Sequence, residues 1–359
     1  MANTIRFGIM GCAGIARKVS RAIKLVPNAT VVAVASRSEE KARRFIADNH
    51  LPEGTRAHGS YDSLLDDPDV DAVYVPLPTS LHLQWAVAAA DKGKHVLLEK
   101  PTALSVADLD RILEACEAKN LQFMDGTMWM HHPRTAEMQG LLHDPDRFGQ
   151  LQLVSSIASF QSNPEFLQND IRVKPDLDAL GALGDLGWYC IRSILWAVDY
   201  KLPNKVVAFP NPIKNEAGLI LSCGASLQWE NGSAAMFHCS FLAHLTFELT
   251  IVGSRGTLTL SDFLIPFEEN SAPFSFASDS RLSKLKMGLE ELPGKHVVPT
   301  EFPQEARMIC EFSRLVEAIK VSGSKADGKW PSISRKTQLV VDAVKESIEK
   351  GFKIVEIVG

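Results

Sequence analysis

The sequence of 359 residues lacks the marks of several protein classes. Its six cysteines are scattered without a CxxC pair, which argues against a zinc site and for free thiols in a reducing compartment. Neither charge sign dominates, since the formal net charge is -5, and nothing favours nucleic acid or an anionic membrane as a partner. The first residues lack the basic and apolar pattern expected of a secretory leader, and no apolar run approaches the roughly 18 residues of a membrane helix. We therefore expect a cytoplasmic protein without a bound metal.

Short apolar strands alternate with helices over residues 1–125. Five strands are predicted, at residues 4–10, 30–35, 71–76, 94–98 and 121–124. Most carry no polar alternation, which is typical of strands buried on both faces. Strands that alternate with helices of ten or more residues form right-handed βαβ units and a parallel sheet. The fold class is therefore predicted to be α/β, beginning with a Rossmann domain.

Residues 126–359 differ in the order of their predicted strands and helices. They are predicted to form an α+β substrate-binding and oligomerisation domain. Strand-like segments follow one another between residues 150 and 261 without intervening helices, which indicates a large, mostly antiparallel sheet. A helix is predicted at 183–198, and two more near 303–321 and 334–351. We expect these last helices to pack back on the first domain. Residues 271–295 are the most irregular segment of the chain and are predicted to be a mobile loop.

A glycine-rich turn follows the first strand. The pattern GxGxxG/A places Gly11, Ala13 and Ala16 where a first strand passes into a first helix, and Gly14 compensates for the alanine in the second position. Such a turn lets backbone approach a pyrophosphate at a helix N-terminus. We expect the dinucleotide to be bound by the residues of this turn, which are Gly11, Cys12, Ala13, Gly14 and Ile15.

The end of the second strand predicts which dinucleotide is bound. An acidic residue there favours NAD, whereas an arginine favours NADP because it pairs with the 2′-phosphate. This chain has Ser36, Arg37 and Ser38 and no carboxylate at that point. The prediction is NADP, with NAD possible.

Several strings in chain order resemble one family. After the N-terminal fingerprint come Asp71–His82 (DAVYVPLPTSLH), His95–Pro101 (HVLLEKP), Met128–Pro133 (MWMHHP), Gly181–Tyr189 (GALGDLGWY) and Ile251–Leu258 (IVGSRGTL). Together they resemble the Gfo/Idh/MocA family of glucose-fructose oxidoreductases, inositol dehydrogenases and relatives, whose signature is the strand-end Glu-Lys-Pro. The resemblance spans nearly the whole chain.

The resemblance implies a set of site residues. It makes Lys100, Asp185 and Tyr189 catalytic, and it implies a cis peptide bond near Lys100–Pro101. Asp185 and Tyr189 are four residues apart on a predicted helix, so both side chains face one way, toward Lys100 across an expected cleft. The resemblance also adds residues on the nicotinamide side, which are Pro76, Pro78, Thr79, His82, Glu99 and Lys100 itself.

The acid/base position distinguishes branches of the family. Tyr189 resembles the glucose-fructose oxidoreductase and dihydrodiol dehydrogenase branches, whereas the inositol branch has histidine there. Arg192 stands where the inositol branch has an acidic residue. We expect Trp129, His132 and Arg172 to contact substrate.

The predicted function is reversible hydride transfer between a CH–OH carbon of a sugar or dihydrodiol-like substrate and the nicotinamide of NADP. Two alternatives stay open at this point: a non-catalytic NADP-binding sensor, and a glycosidase that retains its NAD. An exposed sheet face is expected to be covered by a second copy of the chain, which predicts a homodimer or larger assembly.

Overall fold

The computed structural model describes residues 4–282, 289–290 and 293–357. The chain divides into two compact units, Met1–His131 with Phe302–Gln338, and His132–Glu301 with Leu339–Gly359. Up to residue 131 the elements are β1 (Ile5–Met10), α1 (Gly14–Leu25), β2 (Ala29–Ala35), α2 (Glu39–Asp48), β3 (Arg56–His58), α3 (Tyr61–Leu65), β4 (Ala72–Val75), α4 (His82–Asp91), β5 (His95–Leu98), α5 (Val106–Ala118) and β6 (Phe123–Asp125).

The remaining elements follow in the second half of the chain. They are α6 (Pro133–Leu142), β7 (Leu151–Gln161), α7 (Pro164–Asn169), α8 (Trp188–Ala197), β8 (Lys205–Ala208), β9 (Ile213–Lys214), β10 (Ile220–Gln228), β11 (Ala234–Ser240), β12 (Leu242–Gly253), β13 (Gly256–Leu260), β14 (Ser271–Ser278), β15 (Arg281–Leu282), β16 (Leu289–Glu290), β17 (Gly294–Pro299), α9 (Gln304–Ser322), α10 (Lys329–Glu349) and β18 (Val355–Glu356).

The first unit contains a parallel sheet in the order β3-β2-β1-β4-β5-β6, which is the Rossmann order. Strands β4 and β5 are wholly buried, as their largely apolar sequences predict. The side chain of Ser38 accepts a hydrogen bond from the Lys41 amide at 3.3 Å, and Ser105 accepts one from the Asp108 amide at 3.2 Å. Both serines therefore cap the N-termini of their helices. The predicted α/β class with a parallel N-terminal sheet is confirmed.

Helix α9 belongs to the first unit although it lies near the end of the chain. The ring of Phe312 packs on Phe7 of β1 with centroids 5.8 Å apart. Lys320 forms an ion pair with Asp71 at 2.6 Å. In the structure, residues 302–338 form one compact unit with the N-terminal sheet, and the division of the chain at residue 125 stays a prediction.

The second unit contains a ten-stranded sheet in the order β17-β14-β13-β12-β7-β11-β10-β8-β18, with β9 paired to β10. Neighbours β7 and β11 are parallel, and the other pairs in this order are antiparallel. One face is buried and includes Ala158, Ala225 and Phe237, and strands β7 and β11 pack against α8. On the opposite face Met236 is 44% exposed. This confirms the predicted, mostly antiparallel C-terminal sheet.

The predicted loop at 271–295 is wrong over its first part. Residues Ser271–Ser278 form β14, in which Ala272, Phe274 and Phe276 are buried and the residues between them are partly exposed. The period-2 pattern is present there, but Pro273 obscures it as a strand signal. Residues 283–288 and 291–292 lie outside the described residues. Within the described ranges, no helix is long and apolar enough to cross a membrane.

Candidate active site

The turn after β1 presents backbone to a ligand. Gly11 has a φ of 118°, which favours glycine, and a Cβ there would stand 3.0 Å from the Leu77 side chain. Helix α1 begins at Gly14 after Ala13, has no side-chain cap and has no acidic residue in its first turn. A Cβ on Gly14 would meet nothing within 4 Å. The open N–H groups of this helix fit the pyrophosphate of a dinucleotide.

The end of β2 carries cationic and hydroxyl side chains. Arg37 is exposed and forms no ion pair with any residue that the structure describes. Ser36 is buried beside Cys12, whereas the hydroxyl of Ser38 serves as the helix cap. An unpaired guanidinium at this strand end fits the 2′-phosphate of NADP.

The loop after β4 is anchored by His82. Its Nε2 lies 2.8 Å from the carbonyl oxygen of Leu77, and its Nδ1 lies 3.3 Å from that of Thr102. The ring is buried, as is Thr79 next to it in the loop. His82 therefore joins the loop that follows β4 to the segment that follows β5. A nicotinamide-side role for Pro76, Pro78, Thr79 and His82 stays a prediction.

The Glu-Lys-Pro string follows β5. The peptide bond between Lys100 and Pro101 is cis, as the resemblance implies. The carboxylate of Glu99 accepts hydrogen bonds from the Tyr74 hydroxyl and from the Lys100 amide at 3.2 Å. A Cβ on Gly126 would stand 3.0 Å from Glu99 Oε1, so the glycine makes room for the carboxylate. Burial raises the pKa of Glu99. Glu99 thus fixes the backbone from which Lys100 projects.

The second unit holds Asp185 and Tyr189 in a buried helical segment. From Leu180 to Ala197, Asp185 is the one residue that is not buried. Leu183–Gly187 forms a turn of π-helix that runs into α8, and Tyr189 is 6% exposed. Gly181 has a φ of 58°, and a Cβ there would stand 2.2 Å from the Ile220 carbonyl oxygen. The glycines of this string therefore let the helix pack directly against the sheet.

The guanidinium of Arg172 forms ion pairs with two carboxylates. Its NH1 lies 3.0 Å from Asp170 Oδ1, and its Nε lies 3.2 Å from Asp185 Oδ1. The adjacent Asp185 carboxylate raises the pKa of Arg172. The predicted catalytic carboxylate and the predicted substrate arginine thus contact each other, which the sequence did not indicate.

The remaining predicted residues are buried. Trp129 is 2% exposed in a 3₁₀ turn of the first unit. His132 belongs to the second unit, and its Nδ1 accepts a hydrogen bond from the Arg134 amide at 3.0 Å, which caps α6. Arg192 is fully buried with its guanidinium 5.2 Å from the Trp188 ring centroid. Substrate contact by Trp129, His132 and Arg172 stays a prediction, as does the meeting of Lys100 with Tyr189.

Tyr61 lies near the glycine-rich turn but was not among the predicted site residues. It follows the short strand β3. Its hydroxyl lies 3.9 Å from the position of a Cβ on Gly11. The strand Arg56–His58 has no apolar run, so neither β3 nor the residue after it stands out. A sequence signal for the helix that begins at Tyr61 is Ser60, because serine is a preferred N-cap residue. In the structure its hydroxyl accepts a hydrogen bond from the Ser63 amide at 3.1 Å. Over the described ranges, no group of three histidine, cysteine or carboxylate side chains could hold a metal ion.

The fold and the strand-end residues define an oxidoreductase with a dinucleotide-binding Rossmann domain and a separate α+β domain. A family model described as an oxidoreductase family with an NAD-binding Rossmann fold matches residues 5–127, and the GFO/IDH/MocA C-terminal domain matches residues 141–259. The chain belongs to the Gfo/Idh/MocA oxidoreductase family. The predicted family and enzyme class are confirmed.

Relatives cover nearly the whole chain. The dTDP-3,4-didehydro-2,6-dideoxy-alpha-D-glucose 3-reductase of Saccharopolyspora spinosa is 32% identical over 86% of this chain and 89% of its own length. The D-xylose 1-dehydrogenase (NADP(+)) 2 of Haloferax volcanii is 29% identical over 97% and 98%. A 3-ketoreductase from Actinomadura kijaniata, crystallised with NADP and TDP-benzene, is 27% identical with a TM-score of 0.81 over 96% of this chain and 98% of that one.

Proposed function

We propose that this protein is an NADP-dependent oxidoreductase that moves a hydride between a CH–OH carbon of a sugar or dihydrodiol-like substrate and nicotinamide. The buried stretch from Leu180 to Ala197 carries the proposal. Every residue in this stretch is buried except Asp185, and the phenol of Tyr189 lies one turn further along the helix. A partly exposed carboxylate on an otherwise buried helical segment suits proton transfer at a water-poor site.

The proposed cofactor rests on the first unit. The uncapped N-terminus of α1 receives the pyrophosphate, and the exposed guanidinium of Arg37 receives the 2′-phosphate. A dehydrogenase relative named for NADP(+) and a ketoreductase relative crystallised with NADP support this preference. We assign dinucleotide binding to the first unit and substrate binding to the second.

The proposed chemistry divides among three side chains. When bound, the nicotinamide ring supplies the hydride acceptor or donor. Tyr189 takes the substrate hydroxyl proton during oxidation and returns it during reduction. The ammonium of Lys100 favours the phenolate form of Tyr189. Asp185, held by Arg172 at 3.2 Å, accepts hydrogen bonds from a substrate hydroxyl.

The Arg172 contacts also indicate the character of the group that is bound near Asp185. Because its guanidinium lies between the carboxylates of Asp170 and Asp185, it offers little positive potential to an anion. The reacting part of the substrate is therefore proposed to be an uncharged, polyhydroxylated ring. Dihydrodiol dehydrogenase from Danio rerio, 28% identical over 71% of this chain and 73% of its own length, acts on such an uncharged diol by its name.

The test is a cofactor titration followed by a substrate panel. The full-length protein is expected to bind NADP more tightly than NAD, and then to reduce NADP with at least one aldose, deoxysugar or trans-diol. Absorbance at 340 nm reports the turnover. Tight NADP binding with no turnover across the panel would instead favour the sensor. NAD retained through purification with glycoside cleavage would favour the glycosidase.

A second copy of the chain is proposed to cover the outward face of the large sheet. Met236 is 44% exposed there, and Leu153, Ile157 and Val252 are only partly buried. Light scattering is expected to give a dimer or a larger homo-oligomer, and a monomeric mass would contradict this. The cytoplasmic location stays a prediction.

A further inference from the structure

Tyr61 stands at the junction of three strand ends in the first unit. It opens α3 immediately after β3, which is the neighbour of β2 in the sheet. The amide of Ser36 donates to the carbonyl oxygen of His58 at 3.1 Å, so the chain after β2 and the chain after β3 leave the sheet side by side. Arg37 and Tyr61 therefore emerge at the same edge of the sheet, next to the glycine turn.

The Tyr61 ring is held in place rather than free to turn. It packs edge-on against Trp85 with centroids 4.9 Å apart at 79°. Leu64 of the same short helix is buried against Gly8, where a Cβ would stand 2.8 Å from it. These contacts fix the helix on β1 and aim the phenol at the turn. The hydroxyl consequently lies 3.9 Å from the position of a Cβ on Gly11.

The charges around the hydroxyl suit a phosphate. Burial raises the pKa of Tyr61, while the positive charge of Arg37 opposes that rise and the Cys12 thiol adds to it. The phenol is thus protonated at neutral pH and acts as a donor. Glu39 and Glu40, the carboxylates in the first turn of α2, pair with Arg43 and Arg44 on their own helix.

We propose that the Tyr61 hydroxyl donates a hydrogen bond to the 2′-phosphate of NADP and, with Arg37, sets the preference for NADP over NAD. This assignment rests on the proposed function, because it requires NADP as the cofactor. It adds a residue from the third strand end to a site predicted from the first two. Its chemistry is that of a neutral donor to a charged acceptor, which is stronger than a bond between neutral groups.

The experiment compares Tyr61→Phe with the wild type by calorimetric titration of NADP and of NAD. Tyr200→Phe, the same change in the second unit, is the matched control. The affinity of Tyr61→Phe for NADP is expected to fall by about ten-fold, the usual effect of losing a hydrogen bond to a charged group. Its affinity for NAD, which lacks the phosphate, is expected to stay within about two-fold and also reports correct folding. Tyr200→Phe is expected to match the wild type with both ligands.

Two results would overturn the assignment alone: a wild type that prefers NADP together with a Tyr61→Phe variant of unchanged affinities, or a variant in which both affinities fall equally. The second result would place the hydroxyl on the part common to the two dinucleotides. A wild type that binds NAD as tightly as NADP would overturn the proposed cofactor and this assignment with it.

Discussion

Arg37 in the first unit and two arginines in the second, Arg172 and Arg134, differ in how their charges are compensated. At the dinucleotide end of the first unit, Arg37 is exposed and has no ion-pair partner within the described part of the chain. In the second unit, Arg172 is shared by two carboxylates and Arg134 is buried with Asp262. Arg37 therefore leaves its positive charge exposed, whereas neighbouring carboxylates compensate the charges of Arg172 and Arg134.

This difference follows from what each region is proposed to bind. A phosphate needs a cation that is not already paired, because an existing partner would have to be displaced. An uncharged ring that loses a hydride and a proton needs hydrogen-bond partners and a proton acceptor instead. Stability is therefore expected to respond to substitution of Arg134, catalysis to substitution of Arg172, and dinucleotide affinity to substitution of Arg37.

The largest effect is expected for Arg134→Met. Arg134 and Asp262 are each 2% exposed, and the guanidinium also donates to the Pro273 carbonyl oxygen at 2.9 Å. Removing the cation leaves a buried carboxylate without its charge partner, which costs about 3–5 kcal/mol of the free energy of unfolding. Urea denaturation measures this loss.

The paired variant Arg134→Met with Asp262→Leu provides the control. Because it removes both charges, it is expected to recover part of the stability that the single variant loses. A single variant as stable as the wild type would show that the charges of the second unit are not held by mutual pairing.

The next largest effect is expected for Arg37→Asp. The change removes a cation from the proposed 2′-phosphate site and adds a repelling carboxylate, so the affinity for NADP falls by about a hundred-fold. Affinity for NAD is retained or improved, because a carboxylate at this strand end accepts hydrogen bonds from the ribose hydroxyls. The free energy of unfolding changes by no more than about 0.5 kcal/mol, as for other exposed positions. Equal losses for both dinucleotides would contradict the assigned role of Arg37.

The smallest effect is expected for Arg172→Gln. The substitution loosens the Asp185 carboxylate without removing it, and kcat/KM for the substrate falls by about ten-fold. The dissociation constant for NADP does not change, which separates positioning of Asp185 from a general loss of structure. Arg172→Lys, which keeps the charge, recovers part of the activity. A fall in NADP affinity equal to the fall in kcat/KM would count against the positioning role.

Much of the first unit follows from local patterns in the sequence. Strands β4 and β5 are largely apolar runs, and Ser38 and Ser105 are caps that can be recognised without tertiary information. The short strand Arg56–His58 could not be found this way, because its formation depends on pairing with β2 rather than on its own composition. Tyr61 was missed for the same reason.

The second unit was predicted less completely at its site. The family resemblance singled out Asp185 and Tyr189, whose catalytic roles stay predictions. The contact with Arg172 was not predicted, because it joins positions 13 residues apart through a bend that no periodic pattern encodes. The π-helical turn at Leu183–Gly187 likewise depends on the close packing that Gly181 and Gly187 permit against the sheet. Long-range packing, rather than residue type, determines these features.

The central proposal is that Lys100 and Tyr189 act on the same proton. The most direct test is a double-mutant cycle on kcat/KM with Lys100→Met, Tyr189→Phe and the combined variant, after each is shown to bind NADP. Each single change is expected to lower kcat/KM by about 10²- to 10³-fold, and the combined variant to be about as slow as the slower single one, because residues that act as a unit are not additive. Losses that multiply in the combined variant would show that the two residues act independently, and would contradict the account.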